Sequence, residues 1–101
     1  MSPKVNEEPP SSGFALVNDN PFTGAGAFKL TLSRTAEVTM DLFDVAGRKV
    51  KSLYEGRFAP GQHELRWDAR NEQGQRMPAG LYFARVGVGD AHLVRKVVLM
   101  P

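Results

Sequence analysis

The stretch Val38-Thr39-Met40-Asp41-Leu42-Phe43-Asp44-Val45-Ala46-Gly47-Arg48-Lys49-Val50 decides the fold. Val38, Met40 and Leu42 alternate with Thr39 and Asp41, the period of two that a half-buried strand requires. The run Val45 to Tyr54 is expected to pair back on it through the segment Asp44 to Arg48. In that segment Gly47 can take positive φ, and the Asp44 carboxylate can accept hydrogen bonds from the turn amides. This is the pattern of two antiparallel strands joined by a tight turn.

The same grammar extends in both directions. Upstream, Phe28, Leu30 and Leu32 alternate with Lys29, Thr31 and Ser33. Downstream, Pro60-Gly61 has the sequence of a type II turn, with proline fixing the first corner and glycine taking the second. His63, Leu65 and Trp67 then share one strand face, opposite Gln62, Glu64 and Arg66. A polar loop, Asp68 to Gln75, is closed by Gly74, and Pro78-Ala79-Gly80 makes the next corner. Tyr82, Ala84 and Val86 alternate with Leu81, Phe83 and Arg85, so this strand is apolar on most of both faces and expected to be central. Gly87, Gly89 and Asp90 turn the chain into a last strand, roughly His92 to Leu99. Its facing stays open, because Val94 and Val98 fall on one side and Leu93, Val97 and Leu99 on the other.

No segment carries a helical apolar stripe for more than a turn. About seven short strands separated by turn signals predict an all-β chain, an immunoglobulin-like antiparallel β-sandwich. The domain is expected over residues 14–101. Residues 1–13 contain three prolines, three serines and two glutamates, and Val5 is their one large apolar residue after Met1. Such a segment buries too little surface to offset its ordering entropy, and it reads as a flexible linker.

Composition narrows the function. The 101 residues are 42% hydrophobic and 24% charged, ordinary for one small globular domain. There is no cysteine, which excludes a disulfide framework, a thiolate zinc site and thiol catalysis. Thirteen basic and eleven acidic residues are mixed along the chain, for a net charge of +2. A nucleic-acid binder concentrates its charge on one face, so no nucleic-acid partner is expected. The longest aliphatic run, Val97 to Met100, is far short of the roughly 20 residues of a transmembrane segment. The first eight residues are polar and acidic where a signal peptide has its apolar core. The chain therefore reads either as cytosolic or as a piece of a longer exported protein.

Candidate chemistry is sparse. His63 and His92 lie on different strands, and His63 alternates with Leu65 and Trp67 as a packing residue would. No serine stands in a Gly-x-Ser-x-Gly elbow. Gly24-Ala25-Gly26 precedes a strand rather than a helix N-terminus, so the phosphate-cradle reading fails. Asp68, Asn71 and Glu72 suggest a calcium loop, but the glycine falls one place late and Arg70 occupies a ligand position, which favours a hydrogen-bonded turn. Lys29 and Lys96 are strand lysines of the kind used in isopeptide bonds, without an assigned partner. Trp67, Tyr82 and Phe83 have the chemistry of a sugar platform, but alternating strand positions make them core residues, and Trp67 is expected to be buried beside Leu65. No catalytic residue, metal or cofactor is expected.

Six segments, in order, resemble the FlgD-like immunoglobulin domain. They are Asn20-Pro21-Phe22, Phe43 to Val50, Pro60 to His63, Trp67 to Arg70, Pro78 to Val86, and Lys96 to Leu99. The family takes its name from the flagellar hook-capping protein, and similar domains resemble the C-terminal sorting domains of type IX secretion. Carried over by position, the resemblance implies a recognition motif of Asp44, Gly47 and Arg48 in one turn, Gly80 and Tyr82 in one strand, and Lys96 near the end. The opening is shortened to Asn20-Pro21-Phe22-Thr23-Gly24, and the terminal basic pair is Arg95-Lys96 rather than two lysines. It further implies a non-catalytic domain of a longer exported bacterial protein, secreted or at the cell surface. Its expected partners are an upstream domain of the parent chain and the secretion or surface-anchoring machinery. Two other readings are a carbohydrate- or matrix-binding accessory module and a hook-cap-like structural domain.

Overall fold

Every regular element of residues 14–101, which the computed structural model describes, is a strand. The proline- and serine-rich segment 1–13 lies outside the described residues. In chain order the strands are β1 (Phe14–Asn18), β2 (Phe22–Thr23), β3 (Gly26–Leu32), β4 (Ala36–Asp44), β5 (Lys49–Phe58), β6 (Gly61–Trp67), β7 (Gly80–Val88) and β8 (Ala91–Met100). They form two sheets, a three-stranded one in the order β1-β3-β6 and a five-stranded one in the order β2-β8-β7-β4-β5.

The alternation in sequence becomes the core between these sheets. Phe28, Leu30 and Leu32 of β3 and Val38, Met40 and Leu42 of β4 are all buried, as are Tyr82, Ala84 and Val86 of β7. β7 is hydrogen-bonded on both sides, to β4 and to β8, as its apolar character predicts. The last strand resolves in favour of its odd-numbered side, with Val97 and Leu99 buried while Val94 stays exposed. An aromatic cluster ties the layers together. The Phe22 ring lies 5.3 Å from Phe28 and 6.2 Å from Trp67, and Trp67 meets Tyr82 edge-on at 5.5 Å. Trp67 is completely buried and donates its indole N–H to the Arg70 carbonyl at 3.0 Å, so it offers no stacking face to a sugar.

The structure departs from the sequence reading in three places. There are eight strands rather than about seven, because Phe22–Thr23 forms a two-residue strand that pairs parallel with Leu99–Met100. Full burial of Phe22 places this short segment against the end of the last strand. The partner of β4 runs over Lys49–Phe58 rather than Val45–Tyr54, since 45–48 is consumed by the turn itself. Register shifts between Met40 and Asp41 and between Leu42 and Phe43 break the alternation of β5 and turn Val50 into the core. The Pro60-Gly61 turn carries the chain from β5 in one sheet to β6 in the other.

Candidate functional site

The Asp44–Arg48 turn is built by one carboxylate. Asp44 Oδ1 accepts the N–H groups of Ala46 at 2.9 Å and Arg48 at 3.0 Å, while Oδ2 lies 3.1 Å from Arg48 Nε. The backbone closes the same loop, with the Asp44 N–H donated to Arg48 O and the Gly47 N–H to Asp44 O, each at 3.0 Å. Gly47 sits at φ +86°, a conformation that costs other residues about 1–2 kcal/mol. The Arg48 N–H above all, helped by the Ala46 N–H and the guanidinium, holds the Asp44 carboxyl below its ordinary value of 3.8, against desolvation acting the other way.

Register brings the second motif alongside. Asp44 is the cross-strand partner of Tyr82. The Tyr82 ring is buried, and its hydroxyl donates to the Pro78 carbonyl at 2.6 Å, pinning the approach to β7 much as a tyrosine corner does. Burial first, and then the Asp44 charge, push the Tyr82 hydroxyl above its usual value of 10.0. Gly80 opens β7 opposite Leu99. Asp44, Arg48, Gly80 and Tyr82 thus line one open groove of about 320 Å³, walled on its far side by Met77 and Pro78. Val45 stands exposed at its rim. Gly47 belongs to the same turn.

Lys96 does not join this groove. It lies on β8 opposite Phe83, exposed on the outward face of the sheet. The terminal basic pair is split, because Arg95 turns inward and donates to the Leu16 carbonyl of β1 at 3.1 Å. Two residues make structural contacts that the sequence did not announce. Asn20 accepts the Val98 N–H at 3.3 Å, anchoring the Asn-Pro-Phe segment to β8. Glu72 accepts the Ser52 N–H at 2.8 Å, latching the 68–77 loop to β5. Asn20 carried a signal in its motif; the Glu72 contact, 20 residues away in sequence, carried none.

The groove's polar atoms are committed to shape. The Asp44 carboxylate is shared among two amides and a guanidinium, and the Tyr82 hydroxyl is spent on Pro78. In the loop that raised the calcium question, Asp68 Oδ1 accepts the Arg70 N–H, and Asn71 Oδ1 accepts those of Gln73 and Gln75. Among the described residues no three His, Asp or Glu side chains gather as a metal site would need, and no helix is long and apolar enough to cross a membrane. Arg48 supplies the groove's exposed cation, with 82% of the side chain accessible.

Among solved structures, the chain is similar to dimeric latent PorU from Porphyromonas gingivalis, with a TM-score of 0.71 at 18% identity, over 86% of this chain and 9% of that one. It is also similar to PorZ of the same bacterium, described as an essential surface component of the type IX secretion system. That match has a TM-score of 0.53 at 19% identity, over 89% of this chain and 12% of PorZ. The chain thus spans only about a tenth of either protein, and at this identity the likeness is one of fold. No curated protein matches it in sequence. The family profile of the FlgD Ig-like domain matches residues 17–91, from β1 to the start of β8. By that match over most of its length, and by the two-sheet sandwich it builds, the chain belongs to the FlgD Ig-like domain family.

Proposed function

We propose that this domain is a non-catalytic module of a longer exported bacterial protein, serving secretion sorting or attachment at the cell surface. The observation that carries the reading is the convergence of Asp44, Arg48, Gly80 and Tyr82 on one exposed groove whose polar groups hold its shape. A rigid surface of that kind suits recognition by a protein partner better than bond-making chemistry, which needs a free nucleophile or a tuned acid or base. The sandwich fold shared with PorU and PorZ favours type IX machinery as the partner, alongside an upstream domain of the parent chain. Lys96, exposed on the terminal strand, is a second contact for the same machinery.

A reporter fused to residues 14–101 and expressed in a bacterium with a type IX system tests this. Arg48→Ala and Lys96→Ala both alter exposed side chains, so each variant is expected to melt near the parent temperature while less reporter reaches the surface. Normal surface delivery of both folded variants would contradict the assignment of these residues.

A further inference from the structure

The two edges of the five-stranded sheet are treated differently. At β5 the Glu72 carboxylate occupies the Ser52 N–H, Lys51 Nζ lies 3.7 Å from Asp68, and two register shifts interrupt the strand. Such features keep another strand from pairing. At β8, β2 covers only Leu99 and Met100. The β7–β8 hairpin closes on the pair Val88–Ala91 through a two-residue loop. A closing pair of this type exchanges both its hydrogen bonds, so the odd-numbered residues of β8 bond to β7. The even-numbered ones turn their N–H and C=O groups to the open side. Asn20, reaching the Val98 N–H from that side, has the same parity. The backbone groups of His92, Val94 and Lys96 therefore face outward without a partner among the described residues, along about 13 Å of strand.

Beside this edge lies a groove of about 370 Å³ between β8 and β1, lined by the apolar Phe14, Leu16, Ala91 and Leu93 and bounded by Arg95. The outward face next to it carries the exposed cations Lys96 of β8 and Arg85 of β7, with His92 exposed beside them. The one acid of this hairpin, Asp90, sits in its turn, and Asp41, the cross-strand partner of Arg85, also lies 3.7 Å from Lys49. Val94 is 55% exposed among them.

We infer that the β8 edge accepts an extended peptide strand in which acidic and apolar residues alternate. Its backbone continues the ladder at His92, Val94 and Lys96. Its acidic side chains stand beside Lys96 and His92 on the outward face, and its apolar ones close the groove over Leu93 and Leu16, as the two-residue period of a strand dictates. A second copy of the chain fits less well. Antiparallel pairing of two β8 edges about Val94 sets each Lys96 opposite the other copy's His92 and offers it no carboxylate. The inference rests on the reading above in one respect, that β8 is a presented surface.

The test is titration of the full 101-residue chain, labelled with ¹⁵N, with a capped Asp-Val-Glu-Val-Asp-Val peptide. The amides of His92, Val94 and Lys96 are expected to shift and to gain exchange protection, and Lys96→Glu to weaken binding roughly tenfold. A Lys-Val-Lys-Val-Lys-Val peptide is expected not to bind. Val94→Pro removes one outward N–H at an edge, where proline is tolerated, and is expected to abolish binding. Should that variant not fold, the acidic peptide N-methylated at alternate residues replaces it and is expected to fail as well. No shift at about 1 mM peptide, shifts centred away from β8, or binding indifferent to N-methylation overturns the inference. So does a dimer in sedimentation whose β8 amides are already protected without peptide. A reporter that is exported although the peptide does not bind overturns this inference alone. A peptide that binds while the reporter is never exported overturns the sorting reading alone.

Discussion

Replacing Gly26 with alanine places a methyl group where the Phe22 ring already stands. A Cβ built there lies 2.5 Å from two atoms of that ring and 2.7 Å from a third. The ring cannot retreat, because Phe22 is fully buried with Phe28 at 5.3 Å and Trp67 at 6.2 Å. On an unobstructed strand, Gly→Ala stabilises by about 0.5–1 kcal/mol by narrowing the unfolded ensemble. Overpacking a filled core costs about 1–3 kcal/mol. The net expectation for Gly26→Ala is a loss of about 0.5–2 kcal/mol. Phe22→Leu alone is expected to cost about 1–2 kcal/mol. A leucine yields space that the ring does not, so the double variant should be more stable than the sum predicts, with a coupling of about 1 kcal/mol. Urea unfolding followed by the fluorescence of Trp67, the single tryptophan, measures all four proteins at comparable m values. A neutral or stabilised Gly26→Ala, or strict additivity, would refute the close approach as the reason for this glycine.

Further outcomes are expected from the groove and the loop beside it. Tyr82→Phe removes the hydrogen bond to Pro78 and is expected to cost about 1 kcal/mol, lowering the melting temperature by roughly 4–8 °C. Because the Tyr82 hydroxyl is pushed above 10.0, the parent protein should also lose stability as pH rises beyond that value, and Tyr82→Phe should flatten this alkaline loss. At the acid end the sign reverses. The Asp44 carboxyl is held below 3.8, so its contribution is complete above about pH 5 and is lost as pH falls through and below 3.8, and Asp44→Asn should show a shallower acid limb in melting measured against pH. Glu72→Ala frees the Ser52 N–H, so hydrogen exchange should accelerate at Ser52 while the amides of β4 and β7 keep their protection.

Much of this was legible because it is local. The alternation of Val38, Met40 and Leu42 needs only the strand period, and the Asp44–Arg48 turn is specified by a carboxylate and a glycine three residues apart. The centrality of β7 followed from its having few polar residues to show to water. What escaped is non-local or too short to have a period. β2 is two residues long and is defined by a partner near the other end of the chain. The displacement of Val50 into the core comes from register shifts, and a shift erases the alternation by which a strand is read. Ala69 adopts φ +64° while buried, which no alanine announces. The groove's far wall, Met77 and Pro78, is held by the Tyr82 hydroxyl on the Pro78 carbonyl and by the Met77 N–H on the Ala69 carbonyl, neither of them a local contact of the Asp44 turn. Lys96 is the opposite case. Its motif was legible, and the structure sets it on another face from the groove.

Surface delivery of a reporter fused to residues 14–101 can be compared between a type IX-competent bacterium and the same strain lacking its type IX translocon. If the domain is a sorting module, protease-accessible reporter appears on the competent cells and remains in the periplasm of the deficient ones. Equal delivery in both strains would contradict a sorting role and leave the domain a passive structural module.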